Sequence, residues 1–231
     1  MSSRATSIDA LLDRSRRDLD TIMNRYKASL AAKQIDPDLR IDIKNLCGNL
    51  RSALDYLAQD LRARHCPSAD PRVRFYFPIL PSRQAFEQKV SSWFAGLATA
   101  CPDLWAYLES EQPYHQGCEW LGDFNRVNSE NKHGELLEQS RVESERVRVS
   151  GPGDGEVRWD PRAVKFGAGV FIGGVPIDPG TQLPVPHPAQ RVDRIVWVDF
   201  QFRGIGVSAL QLLTSSVAGV AGIVEGVRRW L

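Results

Sequence analysis

Apolar residues recur every three or four positions through the first 65 residues, and this spacing predicts two amphipathic helices. The stripe of the first helix, within residues 5–34, consists of Ile8, Leu11, Leu12, Leu19, Ile22, Met23, Tyr26 and Leu30. A break near Pro37 separates it from a second helix, for which Asp42 is the predicted N-cap. Each stripe must be buried against another element, so a helical bundle is expected.

Prolines interrupt the pattern between residues 66 and 118. Between these prolines, the segments "SRQAFEQKVSSWFAGL" and "PDLWAYLES" predict short helices. The segment "VRFYFPIL" is compatible with either a short strand or an extended apolar link. The stretch "CEWLGDFNRVNSENKHGELLEQ" then predicts another long helix.

Alternation of apolar and polar residues replaces the helical period after about residue 145, which predicts β-hairpins and a longer strand in "RIVWVDFQFR". The chain ends in a predicted helix rich in small residues, where Gly222 and Gly226 allow close helix packing. Residues 204–224 lack charge, but Ser208, Gln211 and Thr214 argue against a membrane span.

These elements predict an α+β fold in two domains, a helical bundle in residues 1–145 and a small antiparallel β-hairpin unit with a closing C-terminal helix in residues 146–231. The last helix is expected to pack on its own sheet, because its apolar side needs cover. That side consists of Leu210, Leu213, Val217, Val220, Val224 and Val227.

Composition narrows the classes of function. The net charge of +1 gives no overall attraction to nucleic acid or anionic membrane. The first residues have no apolar run typical of a signal peptide, so a cytoplasmic protein is expected. The four cysteines lie far apart without ligand-like histidine spacing, so neither a metal site nor a cofactor is predicted.

Several short motifs stand in a fixed order along the chain: "NLRSALDYLA", "FPI", "QPY", "NKH" and "GAGVFIGGVPIDPG". Together they resemble a group of small bacterial and phage proteins that carry an LRSALD helix, a DKH-type motif and a C-terminal β part. The helical half also resembles HEPN (higher eukaryotes and prokaryotes nucleotide-binding) domains. That resemblance implies a dimerising helical bundle and, in many members, a metal-independent RNase with an R-x(4–6)-H motif.

Arg126 and His133 fit the RNase motif with six residues between them. On a helix they point within about 20° of one another. His133 would act as general base on a ribose 2′-hydroxyl while Arg126 stabilises the phosphate. This chain departs from the pattern at Val127, where the family often has a polar residue, and "NKH" replaces DKH.

Three observations weigh against that chemistry. Arginine is about one residue in ten, so one such match to the four histidines is expected by chance. Residues 102–145 contain ten acidic residues against Arg126, Lys132 and Arg141, a charge of −7 that disfavours RNA. Glu130 lies four residues after Arg126, where an ion pair within the helix is the simpler expectation.

Polar residues on two predicted helices give further candidates. Asn128 and Asn131 lie on the apolar side of their helix, where they either form an amide ladder that fixes helix register or line a ligand pocket. Arg51 and Asp55 have the spacing of an intrahelical ion pair. Alternatively, Asp55 faces Lys132 or His133 across the bundle, where it either orients that histidine or locks two helices together.

Two functions from different classes therefore stay open. The first is a soluble intracellular, homodimerising binding or interaction protein without catalysis, whose ligand the sequence does not identify. The alternative is a metal-independent HEPN-type endoribonuclease that uses Arg126 and His133.

Overall fold

The computed structural model describes residues 3–32, 36–133, 139–150, 156–159, 164–172, 175–185, 191–202 and 205–231, and these form an α+β fold. The chain divides into two compact units. The helical unit comprises Met1–Ser140 and Gln201–Leu231, and the β unit comprises Arg141–Phe200. The sequence placed the boundary five residues later and did not predict that the chain returns to the helical unit.

The helical unit contains helices α1 (Ser3–Ala32), α2 (Pro37–His65), α3 (Arg83–Trp93), α4 (Leu97–Ala100), α5 (Pro102–Ser110), α6 (Glu119–His133) and α7 (Ala209–Val227). A short 3-10 turn, Arg228–Trp230, follows α7. The prediction of Asp42 as the cap of α2 is wrong, because the Asp36 side chain caps the helix by accepting from the Asp38 N–H. The predicted break near Pro37 is confirmed, since Asp36 lies outside both helices, and Pro37 is the first residue of α2, where no N–H is needed.

The two long helices bury their predicted stripes against each other and against α7. The α1 stripe contributes Ile8, Leu12, Ile22 and Tyr26 to the core, and α2 contributes Ile43, Leu46, Leu50, Leu54, Leu57 and Leu61. The periodicity of the sequence thus defined the main helical contact of the fold.

The structure places α7 differently from the sequence prediction. It packs against α1, α2 and α6 within the helical unit. Gly219 allows this approach, because a Cβ there would overlap the ring of Trp120, and Gly226 does the same for Tyr107. Of the two predicted packing positions, Gly226 is therefore confirmed, whereas at Gly222 a Cβ would meet no other atom.

Among the described residues, the stretch Ala209–Trp230 is the one helix long and apolar enough to cross a membrane. Its apolar residues include Leu212, Leu213, Val220 and Ile223, which are buried by the other helices of the same unit. Burial within the fold accounts for the apolar character of α7.

The β unit contains two small sheets. Strands β1 (Gln139–Ser150), β2 (Glu156–Trp159) and β6 (Arg191–Phe202) lie in the order β2-β1-β6, with β1 and β2 antiparallel. Strands β3 (Phe171–Ile172), β4 (Val175–Asp178) and β5 (Leu183–Pro184) form an antiparallel sheet in chain order. Trp159 and Ile177 form a small core with Phe166, Val170, Ile172 and Leu183.

Candidate functional site

Arg51 and Asp55 form the predicted ion pair on α2. The Arg51 Nε lies 3.2 Å from the Asp55 Oδ2, and Nη2 lies 3.0 Å from Oδ1. Arg51 is buried, at 8% exposure, so this two-point contact is shielded from water. The intrahelical interpretation of the pair is confirmed.

The same two side chains bind a stretch of backbone outside the helices, residues 74–80, which we call the linking segment. The Asp55 Oδ1 accepts from the Phe77 N–H at 3.0 Å, and the Arg51 Nη2 donates to the Phe77 carbonyl at 3.2 Å. Both backbone groups of Phe77 are therefore paired by side chains of α2. The linking segment, within "VRFYFPIL", forms neither strand nor helix, so the strand alternative is wrong.

Gln112 binds the linking segment further along. This side chain is fully buried; its Oε1 accepts from the Leu80 N–H at 2.9 Å, and its Nε2 donates to the Pro78 carbonyl at 3.1 Å. The Nε2 also donates to the Leu108 carbonyl at 2.8 Å. We call Arg51, Asp55 and Gln112 the clamp. It brings together three motifs that stood apart in the sequence, "LRSALD", "FPI" and "QPY".

Sequence reasoning missed two residues of this network. Gln112 belongs to the "QPY" motif, but its position beside Pro113 gives no sign of its partners. Asn125 on α6 was not singled out, although its Oδ1 accepts from the Arg51 Nη1 at 3.2 Å and so links α6 to the clamp. A polar residue at a helix position flanked by buried apolar residues is the signal that would have found it.

Arg126 makes the ion pair expected from its spacing. Its Nε lies 3.0 Å from the Glu130 Oε1, with side-chain exposures of 53% and 39%. Asp123 lies nearby, and its partial burial raises its pKa, an effect that the charge of Arg126 opposes. The pair lies on an accessible, acidic part of α6.

The last three residues of α6 are Asn131, Lys132 and His133. Their side chains lie outside the described part of the structure. The contact of Asp55 with Lys132 or His133 therefore stays a prediction, as does an amide ladder through Asn131. Of the predicted site residues, the structure brings Arg51 and Asp55 of α2 into contact. On α6, Arg126 pairs with Glu130 instead, and Asn128 lies in a separate cleft.

Asn128 lies in a polar cleft between α1, α2 and α6, with a volume of about 450 Å³. We call this site the cleft. Its lining residues are Arg14, Asp18, Lys44, Asn45, Gly48, Asn49, Ser52 and Asn128. Each α2 member lies three or four residues from another member, so they share one face of the helix.

Asn128 is the most buried member, at 5% exposure, whereas Lys44 and Asn45 are exposed at the rim. Within the described part of the chain, no group hydrogen-bonds the carboxamides of Asn45, Asn49 or Asn128. The Ser52 hydroxyl donates to the Gly48 carbonyl at 2.8 Å, which leaves its lone pairs for an incoming donor. The cleft therefore presents both donors and acceptors.

A second, more apolar cavity of about 690 Å³ lies between α1, α2 and α7, with Ile8, Leu57 and Val224 among its lining. The carboxylates at its rim are paired, Asp9 with Arg228 at 2.9 Å and Asp60 with Arg4 at 2.8 Å. Among the described residues, its lining includes no carboxamide side chain like that of Asn128.

The described residues contain no cluster of three or more His, Cys, Asp or Glu side chains that could hold a metal ion. The cysteines are free thiols, and burial raises the pKa of Cys47 to about 12, which makes that thiol unreactive. Comparison with protein-family models, curated proteins and solved structures finds no match. The likeness to LRSALD and DKH-type proteins stays a prediction.

Proposed function

We propose that this chain is a soluble, cytoplasmic, homodimerising binding protein without catalysis, and that the cleft is its ligand site. The observation that carries the proposal is the Asn128 side chain, which is 5% exposed and whose carboxamide lines a polar cleft without a hydrogen-bond partner among the described residues. The oxygen and nitrogen of this carboxamide are accessible to water in the cleft. A ligand there would exchange their hydrogen bonds with water for direct ones, each worth about 0.5–1.5 kcal/mol net.

Gly48 supports the same interpretation. It lies in the interior of α2, where glycine costs about 1 kcal/mol relative to alanine. A Cβ at this position would meet no other atom, so close packing does not require glycine. Glycine here leaves space in the cleft for an occupant.

The alternative, a HEPN-type endoribonuclease, draws no comparable support. Its phosphate-stabilising residue, Arg126, already pairs with Glu130 at the surface. The surrounding residues 102–145 carry a charge of −7, which repels the phosphates of an RNA substrate.

The two functions are separated by an RNA cleavage assay in EDTA with mixed cellular RNA. We expect no cleavage by the wild type or by its His133→Ala and Arg126→Ala variants. Cleavage by the wild type that is lost in a folded His133→Ala variant would establish the nuclease and contradict the proposal. Sedimentation equilibrium tests the dimer, since a monomer of 25.8 kDa would contradict it.

The cleft itself is tested with small polar probes, namely imidazole, glycerol and acetamide at millimolar concentration, on ¹⁵N-labelled protein. We expect shifts in the side-chain carboxamide signals of Asn45, Asn49 and Asn128. Gly48→Leu should abolish these shifts by filling the cleft. Gly222→Leu is the matched control, because a side chain there also meets open space but lies on α7. No shift with any probe would contradict a ligand site in the cleft.

A further inference from the structure

We infer that the ligand of the cleft is an extended peptide segment, held mainly through its backbone by the carboxamides of Asn45, Asn49 and Asn128. This inference rests on the proposed function and adds the chemical class of the ligand. Three steps support it: the way this chain binds its own backbone, the spacing of the carboxamides, and the charge at the rim.

Side chains in this protein already bind backbone that lies outside helices and sheets. Gln112 pairs with the Pro78 carbonyl and the Leu80 N–H. In the β unit, the Gln182 Oε1 accepts from the Phe166 N–H at 2.6 Å while its Nε2 donates to the Phe166 carbonyl at 3.2 Å. A carboxamide is suited to this task because it carries a donor and an acceptor side by side, as a peptide group does.

The spacing of the cleft carboxamides matches an extended chain. Asn45 and Asn49 are four residues apart on α2, which separates them by about 6 Å along the helix axis. In an extended chain the backbone groups on one edge recur every second residue, at about 6.6–6.8 Å. Two successive asparagines on α2 can therefore pair with two successive residues of the same peptide edge.

The remaining lining residues fit the approach of a backbone. Gly48 lies between Asn45 and Asn49 and has no side chain to hold a peptide away from the helix. Asn128 faces the cleft from α6, so its carboxamide can pair with the opposite edge of the peptide. The stripe from Asn45 to Ser52 is about 10 Å long, which corresponds to roughly three extended residues.

The charge of the cleft lining favours an acidic peptide, because Arg14 and Lys44 against Asp18 leave a net +1 and none of the acidic residues of α6 belongs to the lining. The Arg14 Nε and the Asp18 Oδ1 pair at 2.7 Å and largely neutralise one another. Lys44 adds a positive charge to the lining that this pair does not cancel. A carboxylate on the peptide beside Lys44 therefore gains attraction, whereas a basic side chain is repelled.

The test is titration of ¹⁵N-labelled full-length protein with three five-residue peptides, acetyl-SEVES-amide, its analogue N-methylated at valine and the second glutamate, and acetyl-SKVKS-amide. We expect the first peptide to shift the carboxamide signals of Asn45, Asn49 and Asn128. N-methylation removes backbone donors and should weaken binding about tenfold, and the lysine peptide should also bind more weakly. Gly48→Leu should abolish binding, while Gly222→Leu should bind as the wild type does.

Each other outcome overturns the inference in a distinguishable way. Equal binding of the N-methylated peptide would show that the backbone is not recognised. Shifts outside the cleft, or binding that survives Gly48→Leu, would place the peptide elsewhere. If imidazole, glycerol or acetamide binds in the cleft and no peptide does, the peptide inference fails while the proposed function stands. If none of the probes or peptides binds there, both fail.

Discussion

Two neighbouring sides of α2 carry polar residues, and they differ in how fully those residues are paired. On one side, Arg51 and Asp55 bind each other, both backbone groups of Phe77 and a side chain of α6. On the other side, Asn45 and Asn49 face the cleft, where the described groups leave their carboxamides unpaired. One helix thus carries a set of polar side chains whose hydrogen bonds are made within the protein, beside a second set whose hydrogen-bonding groups remain available.

The difference shows that polarity on a helix has two separate consequences. In the clamp, the polar groups stabilise the fold by pairing backbone that has no strand partner, and removing any member leaves buried groups unpaired. In the cleft, the carboxamides make no hydrogen bonds to the described part of the protein, so their removal should weaken ligand binding and leave the free energy of unfolding nearly unchanged. Substitutions on the two sides should therefore give opposite results.

The largest effect is expected for Asp55→Ala. It leaves the buried Arg51 guanidinium without a carboxylate and the Phe77 N–H without an acceptor. Breaking a buried pair by removing one partner costs about 3–5 kcal/mol, which urea denaturation would measure as a loss in the free energy of unfolding. The control is Glu87→Ala, which breaks an exposed i,i+4 pair with Arg83 and should cost no more than about 0.5 kcal/mol. Equal losses would mean that the clamp is not a stabilising network.

The next effect is expected for Gln112→Leu. The substitution keeps a similar volume but removes the partners of the Leu80 N–H and of two carbonyls. We expect a loss of about 2–3 kcal/mol in the same unfolding measurement. Gln116→Leu is the control at an exposed position, where the change should stay within about 0.5 kcal/mol. A stable Gln112→Leu variant would argue that water replaces the carboxamide.

The polar contacts that sequence alone predicted are those within one helix. The pairs Arg51–Asp55 and Arg126–Glu130 follow from helix geometry, because residues four apart share a face. The bonds of Gln112 join positions 32 and 34 residues apart, and no periodicity specifies the path of the intervening chain.

The placement of α7 shows the same limit. Its apolar residues showed that the helix needs cover, but not which elements supply it. The glycines of α7 indicated close packing, but the sequence does not show which helix each glycine meets, and Gly219, which admits Trp120, was not among those predicted. For Asn128, the position on the apolar side of α6 was predictable, whereas the cleft needs residues from three helices.

Two glycines, Gly219 on α7 and Gly48 on α2, allow a packed position to be compared with an open one. Gly219→Ala drives a Cβ into the Trp120 ring and should destabilise the fold by about 1–3 kcal/mol. Gly48→Ala adds a Cβ in open space and should stabilise α2 by about 0.5–1 kcal/mol. The two changes are chemically identical, so thermal melting of both variants would show midpoints shifted in opposite directions. A destabilising Gly48→Ala would indicate that the cleft is closed in solution.

The smallest effect, and the sharpest comparison, is expected from two asparagines three residues apart on α6. Asn125 accepts a hydrogen bond from Arg51, so Asn125→Ala should cost about 1 kcal/mol. Asn128 is more buried but has no described partner, so Asn128→Ala should change the free energy of unfolding by no more than about 0.5 kcal/mol. Urea denaturation of both variants measures the difference, and peptide titration should show loss of binding for Asn128→Ala alone. If Asn128→Ala costs as much as Asn125→Ala, the Asn128 amide fixes helix register, as an amide ladder would. A small cost combined with lost binding would assign the buried amide to the ligand, because a group that contributes little to the folded state then has its energetic role in the complex.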